Sequence, residues 1–398
     1  MNKNKKKYIV SFPHMGNYYI PIYNLLSNIY DEETTEILIP KKITKETLEK
    51  GSNSSPDFVC VPFKYNMGNY IESLEQGANV LIQAGGGCRY GYYAEVQEQI
   101  LKDLGYDFTY ITLLDAKGVD PFKVYNKFKK INPKLKFSNF VYRFLVTIKL
   151  LEILDDFETY IRDNIVFERS KGEFEKLHEE FLEKMKFLKN MREIMKFKKY
   201  YFKKLYSIKL KNKNNPNIIK IGVVGELYTS MEPFATFFIE KELAKYGVKT
   251  RRYTTVTYLL FQKGKAQKKL LNNASEYLTY ALGADGTESV AHTLELIDMG
   301  YDGIIHVKPF GCTPEVNAMP ILQRISKEKD IPIMYLTFDS QTSEAGIQTR
   351  LEAFYDMLKM KKEERIKEES EINIFKDGER IYSLNSHDKL AKAGGNNG

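Results

Sequence analysis

Only three cysteines occur in 398 residues, an odd number with no CxxC pair among them. That excludes a disulfide scaffold, a zinc ribbon and a ferredoxin-type cluster motif. Trp is absent beside 28 Tyr and 24 Phe, a bias that carries no functional signal. Long apolar runs are missing too. The longest, such as 8–12 and 79–84, have half a dozen residues or fewer, whereas a membrane-spanning helix needs about 20. The N-terminus has the charged start of a secretory signal, but its apolar stretch is short and Pro13 ends it. No short-period repeat occurs, and neither GxGxxG nor GxxxxGK[ST] is present, so a nucleotide site has little support. The expectation is a soluble, cytoplasmic protein without membrane contact.

With 43% hydrophobic and 28% charged residues, the chain is too apolar to be disordered. At about 150 residues per domain, the length suggests two or three domains. The net charge of +8 is localised. Residues 181–216 hold eleven Lys and one Arg against Glu183 and Glu193, a local +10, which leaves the rest of the chain at −2. Apolar residues Leu182, Met185, Leu188, Met191 and Ile194 recur there at a helical period. This reads as a solvated basic helix face rather than a phosphate-binding arm, and no nucleic-acid partner is expected. A basic face could also dock an acidic protein.

The first third alternates strand-like runs (8–12, 36–39, 57–61, 79–84, 108–114) with helix-like stretches (18–29, 66–76, 92–104). Such alternation indicates parallel βαβ units with right-handed crossovers. Strand signals fade from 120 to 215, where helical periodicity continues. Alternation then resumes, with strands at 218–224, 249–256, 303–308 and 332–337. Helices are expected at 233–245, 265–282, 289–299, 314–327 and 344–359. The fold class is α/β: two Rossmann-like parallel-sheet domains, 1–119 and 216–372, a helical insertion over 120–215, and a tail over 373–398.

In open parallel sheets, functional groups collect beyond the carboxyl ends of the strands. Cys60 lies in the run 57–61 before Pro62, Cys88 follows Gly85-Gly86-Gly87, and Cys312 follows Pro309-Phe310-Gly311. All three are thus expected at strand ends where helices begin, so amides and positive helix ends face the sulfurs. Taken singly, each could be a packed core thiol. Three thiolates from distant loops suit a cubane cluster with one iron open, or zinc with one open position. His14, Glu226 and Asp339 also follow strands and are candidate catalytic groups, although each carboxylate could equally cap the next helix. Lys64, Arg89 and Lys308 adjoin the cysteines and could offset negative charge or simply be solvated. His306, inside a strand, is expected to face the core. His178 and His387 are expected at the surface.

Several stretches carry a resemblance to a known family: 60–79 (CVPFKYNMGNYIESLEQGAN), 83–93 (QAGGGCRYGYY), 225–238 (GELYTSMEPFATFF), 306–325 (HVKPFGCTPEVNAMPILQRI) and 336–358. They resemble the 2-hydroxyacyl-CoA dehydratase superfamily, in particular stand-alone proteins related to the D-component and to the dehydratase activase. The resemblance runs from Tyr8 to Leu358 and contains all three cysteines. It implies two Rossmann-like domains joined by helices, with Cys60, Cys88 and Cys312 holding a [4Fe–4S] cluster in the cleft between them. It also implies a partner, an ATP-dependent activator of the actin/sugar-kinase type that delivers low-potential electrons. The implied chemistry is reductive or radical, of lyase or reductase type, on an acyl-CoA, in a homo- or heterodimer. No CoA-binding signature is found in the sequence. Two other readings stand beside it: a non-enzymatic electron-transfer or cluster-carrier partner of an activase, and a nucleotide-binding α/β protein without a cluster.

Overall fold

A computed structural model describes residues 8–84, 92–113, 120–213 and 215–393, with side chains as far as residue 368. The N-terminal unit comprises β1 (Tyr8–Ser11), α1 (Tyr19–Ile29), β2 (Thr35–Ile37), α2 (Lys45–Asn53), α3 (Val61–Glu75), β3 (Val80–Gln83), α4 (Tyr93–Asp103) and β4 (Thr109–Thr112). Four helices follow: α5 (Pro121–Ile131), α6 (Phe137–Asn164), α7 (Glu173–Met185) and α8 (Met191–Ser207). The C-terminal unit runs β5 (Lys220–Gly225), α9 (Leu227–Met231), α10 (Ile239–Lys245), β6 (Lys249–Arg252), α11 (Lys263–Asn273), α12 (Gly286–Asp298), β7 (Gly303–Pro309), α13 (Thr313–Glu328), β8 (Ile333–Phe338) and α14 (Glu344–Ala393). No described helix is long and apolar enough to cross a membrane.

Both sheets are parallel and share one topology, β2-β1-β3-β4 and β6-β5-β7-β8. The α/β architecture of two Rossmann-like sheets with helices between them is therefore as expected. One expected strand is absent: residues 57–60 form a turn, and α3 begins at Val61. The run FVCVPF is short and apolar, which fits a strand or a buried helix start equally, and Pro62 in the first turn settles it for helix. Helix α2 was not foreseen because its sequence is polar. It is held by a capping box between Thr44 and Thr47. The stretch 265–282 divides differently: a π-helical turn, Tyr258–Gln262, leads into α11, which ends at Asn273. The helix expected over 344–359 continues to Ala393.

Packing joins these units rather than leaving them apart. Phe128 of α5 and Phe140 of α6 lie in one core with Val10, Val80 and Ile111 of the first sheet, so the first of the four helices completes the N-terminal unit. The remaining helices pack on an aromatic spine in which Phe157 and Phe181 stack at 3.9 Å. Each buried side chain of that size contributes about 2 kcal/mol. The spine also takes in Tyr18 from the N-terminal unit and Met231 from α9. Asp155 of α6 accepts from the Tyr18 hydroxyl at 2.6 Å and from the Thr257 amide at 2.8 Å. One buried carboxylate thereby ties all three parts of the chain together.

Candidate metal centre at the seam

In each sheet the first strand lies between the second and third, so the crossovers leave it in opposite directions and open a crevice at the carboxyl ends. After β5 and β7, this crevice receives Glu226 and Cys312. After β1 it receives His14. Cys88 and Arg89, in the loop after β3, lie outside the described residues.

Cys60 reaches the seam by another route. It is the N-cap residue of α3, not the end of a strand. Helix α3 packs across into the C-terminal core, where its Val61 and Tyr65 join Val223, Tyr228 and Phe338. Tyr65 stacks on Tyr228 at 6.0 Å. The position of α3 is set by its crossing with α2. A Cβ on Gly68 would stand 1.8 Å from the Thr47 carbonyl oxygen, and one on Gly51 would stand 1.8 Å from that of Lys64. Only glycine lets the two backbones touch in this way. The Cys60 sulfur contacts the Tyr93 hydroxyl, and the Tyr93 ring meets Phe63 edge-on at 4.9 Å.

Cys312 is the N-cap residue of α13. Burial pushes its thiol well above the ordinary range, and the charges of Glu226, Glu315 and Cys60 add to the rise, while the Glu315 amide opposes it. The charge of Cys60 is the smallest of these influences on Cys312, and it acts across 252 positions of sequence. Neither is in a disulfide. Both stand at helix starts, where amides favour thiolate. Lys64 and Lys308 are buried rather than solvated. Burial lowers the Lys308 amine, and Cys312 is the first group that acts against this.

Glu226 caps α9: its carboxylate accepts from the amides of Tyr228 and Thr229 at 3.0 and 2.9 Å and from the Thr229 hydroxyl at 2.7 Å. It is brought there by Gly225, whose φ of +142° and close approach to Val307 leave no room for a side chain. Burial, and then the charge of Asp285, push its carboxyl up to about 7. Asp285 itself accepts from the Leu227 amide at 3.0 Å and pairs with Lys263, which also lies 3.4 Å from Glu288. A carboxyl held there is half-protonated near neutral pH.

This has a measurable consequence for the metal-free protein. Between pH 4.5 and about 7, folded Glu226 binds a proton that the unfolded chain has released. Its contribution to stability is complete below pH 4.5 and is lost as pH rises through 7. The loss amounts to about 3 kcal/mol. Urea unfolding should show this decline in the parent, and Glu226→Gln should flatten it. Parallel curves for the two proteins would show that Glu226 is not the titrating group.

The other candidates occupy defined places. His14 is buried, with its Nδ1 3.0 Å from Glu232 of the C-terminal unit, and its amide donates to Asn69 of α3. Asp339 is exposed and closes a turn with Thr342 and Gln341. Its charge still reaches Tyr65 at the seam. His306 faces the core, as expected, and pairs at 2.6 Å with Glu315 of α13, both fully buried. His178 is half-buried rather than at the surface, 3.1 Å from Glu158.

Cys312 thus feels the charges of both Glu226 and Cys60, while His14 and Asp339 lie elsewhere along the seam. Among the described residues, no three His, Cys, Asp or Glu side chains stand as a metal-holding group. Sequence reasoning missed Asp285, Lys263 and Glu315. No spacing signal marks the first two, whereas Glu315 lies in the first turn after Cys312 and within a quoted motif.

No curated protein matches the chain. The family described as 2-hydroxyglutaryl-CoA dehydratase, D-component, matches residues 174–358. That span holds α7, α8, the whole second sheet, Glu226 and Cys312. Over these residues, a little under half of the chain, the sequence is similar to the 2-hydroxyacyl-CoA dehydratase superfamily.

Proposed function

We propose that the chain is a dehydratase-type iron–sulfur subunit in which Cys60, Cys88 and Cys312 would hold a [4Fe–4S] cluster at the seam. The observation that carries this reading is that Cys60 and Cys312, from different halves of the chain, are the N-cap residues of α3 and α13, and that the charge of Cys60 reaches Cys312. The surroundings fit such a group. Cys312 is crowded by carboxylates that oppose its thiolate, a conflict that a bound cation relieves. Two buried lysines, Lys64 and Lys308, adjoin the thiols in sequence.

When bound, such a cluster supplies low-potential electrons and an iron without a protein ligand. The rest is the work of this chain. Tyr93 holds the Cys60 side chain. The first turns of α3 and α13 direct their amides at the sulfurs. Glu226 Oε1 and Oε2 carry or release a proton near neutral pH. An acyl-CoA as substrate, and electron delivery by an ATP-dependent activator of the actin/sugar-kinase type, follow from the family. A partner face is supported by Phe58 and Phe310, each within two positions of a cysteine and 80% and 71% exposed.

The test is anaerobic purification or reconstitution, followed by iron and sulfide analysis. About four of each per chain are expected. Stoichiometric zinc without sulfide, or no metal at all, would sink the reading.

A further inference from the structure

Away from the cysteines, a cavity of about 650 Å³ opens between α6, α8, the segment after β6, and helices α11 and α12. That is the size of a small-molecule site. Its walls are aromatic. Tyr253 and His292 stack at 4.2 Å and 9°, and Tyr206 meets Tyr160 and Phe202 edge-on at 5.0 and 5.8 Å. A π-helical turn, Tyr258–Gln262, forms part of the wall, and such turns gather at functional sites.

The charge of the lining is acidic: Asp155, Asp156, Asp163 and Glu295 stand against Lys198 and Lys269. Most of these are already engaged. Asp155 accepts from Tyr18 and Thr257, Asp156 pairs with Lys198, and Glu295 pairs with His292. Asp163 makes no hydrogen bond or ion pair among the described residues; its charge acts through space on Lys249, Tyr253 and Tyr301, as does that of Arg251, whose guanidinium lies 5.1 Å over the Tyr253 ring. The Nε2 of His292, a residue 7% exposed, is likewise without a partner. The cavity therefore offers one uncommitted carboxylate within an aromatic enclosure.

We infer that this cavity binds an organic cation with an aromatic or apolar body, its ammonium directed at Asp163 and its body lying among Tyr253, Tyr206 and Phe202. Aromatic faces attract cations, and more strongly where water is excluded. The same charge balance disfavours a coenzyme A tail, whose phosphates would meet a net negative wall. The site is thus separate from the cysteine seam and from any acyl-CoA that binds there.

Isothermal titration of the full-length protein with phenethylamine tests this, with 3-phenylpropionate as a probe of the same shape and opposite charge. Phenethylamine should bind in the millimolar range or tighter and 3-phenylpropionate should not. Asp163→Asn should weaken the amine about tenfold, and so should Tyr206→Ala, whose side chain is exposed and removable without unfolding the chain. Equal affinity for amine and carboxylate would overturn the inference, as would an amine isotherm unchanged in both variants. Binding of coenzyme A that is lost in Asp163→Asn would overturn it as well, by giving the cavity to the acyl-CoA. The iron assay reads the cysteine seam independently, so failure of either reading leaves the other standing.

Discussion

Cys312→Ser is expected to strip most of the iron from the protein, from about four atoms per chain to fewer than one. The reason is arithmetic as much as chemistry. Only three cysteines exist, so a cubane site built by this chain has no spare thiolate. A serine hydroxyl in the same position stays protonated, because the burial and the Glu226 charge that push the Cys312 thiol up act on an alcohol too. Cys60→Ser should have the same effect, since its sulfur approaches from the other half of the chain at the start of α3. The visible absorption of the cluster should fade in parallel. Unfolding of the metal-free variants serves as the control: a thiol-to-hydroxyl change at a half-buried N-cap should move stability by about 1 kcal/mol or less, because Ser is itself a good cap. Parental iron content in either variant would remove that cysteine from the ligand set.

Gly68→Ala is expected to cost about 3 kcal/mol, and the sign alone is informative. Gly68 lies inside α3, where Ala is favoured over Gly by about 1 kcal/mol on helix propensity. Propensity therefore predicts a more stable protein. The tertiary structure predicts the reverse, since the new Cβ would stand 1.8 Å from the Thr47 carbonyl oxygen, a backbone atom that cannot swing aside. Either α2 or α3 must move. Movement also pulls on the Thr47 hydroxyl, which donates to Glu72 at 3.0 Å inside the crossing. Because Cys60 caps α3, the variant should also bind iron less well than its stability alone would require. Urea unfolding gives the first quantity and iron analysis gives the second. An unfolding midpoint at or above the parent's would show that the helices can separate without cost.

Much of this was legible in the sequence because it depends on local pattern. The two βαβ series follow from alternation of apolar runs with helical periods, and β1, β3, β5, β7 and β8 fall within two residues of where that alternation puts them. The core-facing His306 was readable from its place in an apolar strand, the glycine and proline turn pointed to Cys312, and Glu226 was picked out by its place after a strand. The sequence motifs were enough to identify the superfamily. Where the reading failed, the local signal was ambiguous. The stretch 57–61 contains an apolar run that fits a strand as well as a helix start, and Pro62 in the first turn of α3 decides for the helix, whose Val61 packs in the C-terminal core. For Lys64 and Lys308 the sequence left charge offset and solvation side by side, and burial removes the solvated alternative.

What no local pattern contains is which distant groups share a dielectric environment. That Cys60 acts on Cys312, that Asp285 raises Glu226, and that Asp163 lies uncommitted in an aromatic cavity are consequences of how α3 crosses into the second core and how α6 and α8 lean on the second sheet. The sequence by itself determined the two sheets, the helices between them and the residue types at the strand ends, because periodicity and turn chemistry act over a few residues. The tertiary structure alone decided the seam, because burial and charge act through space between residues that are hundreds of positions apart.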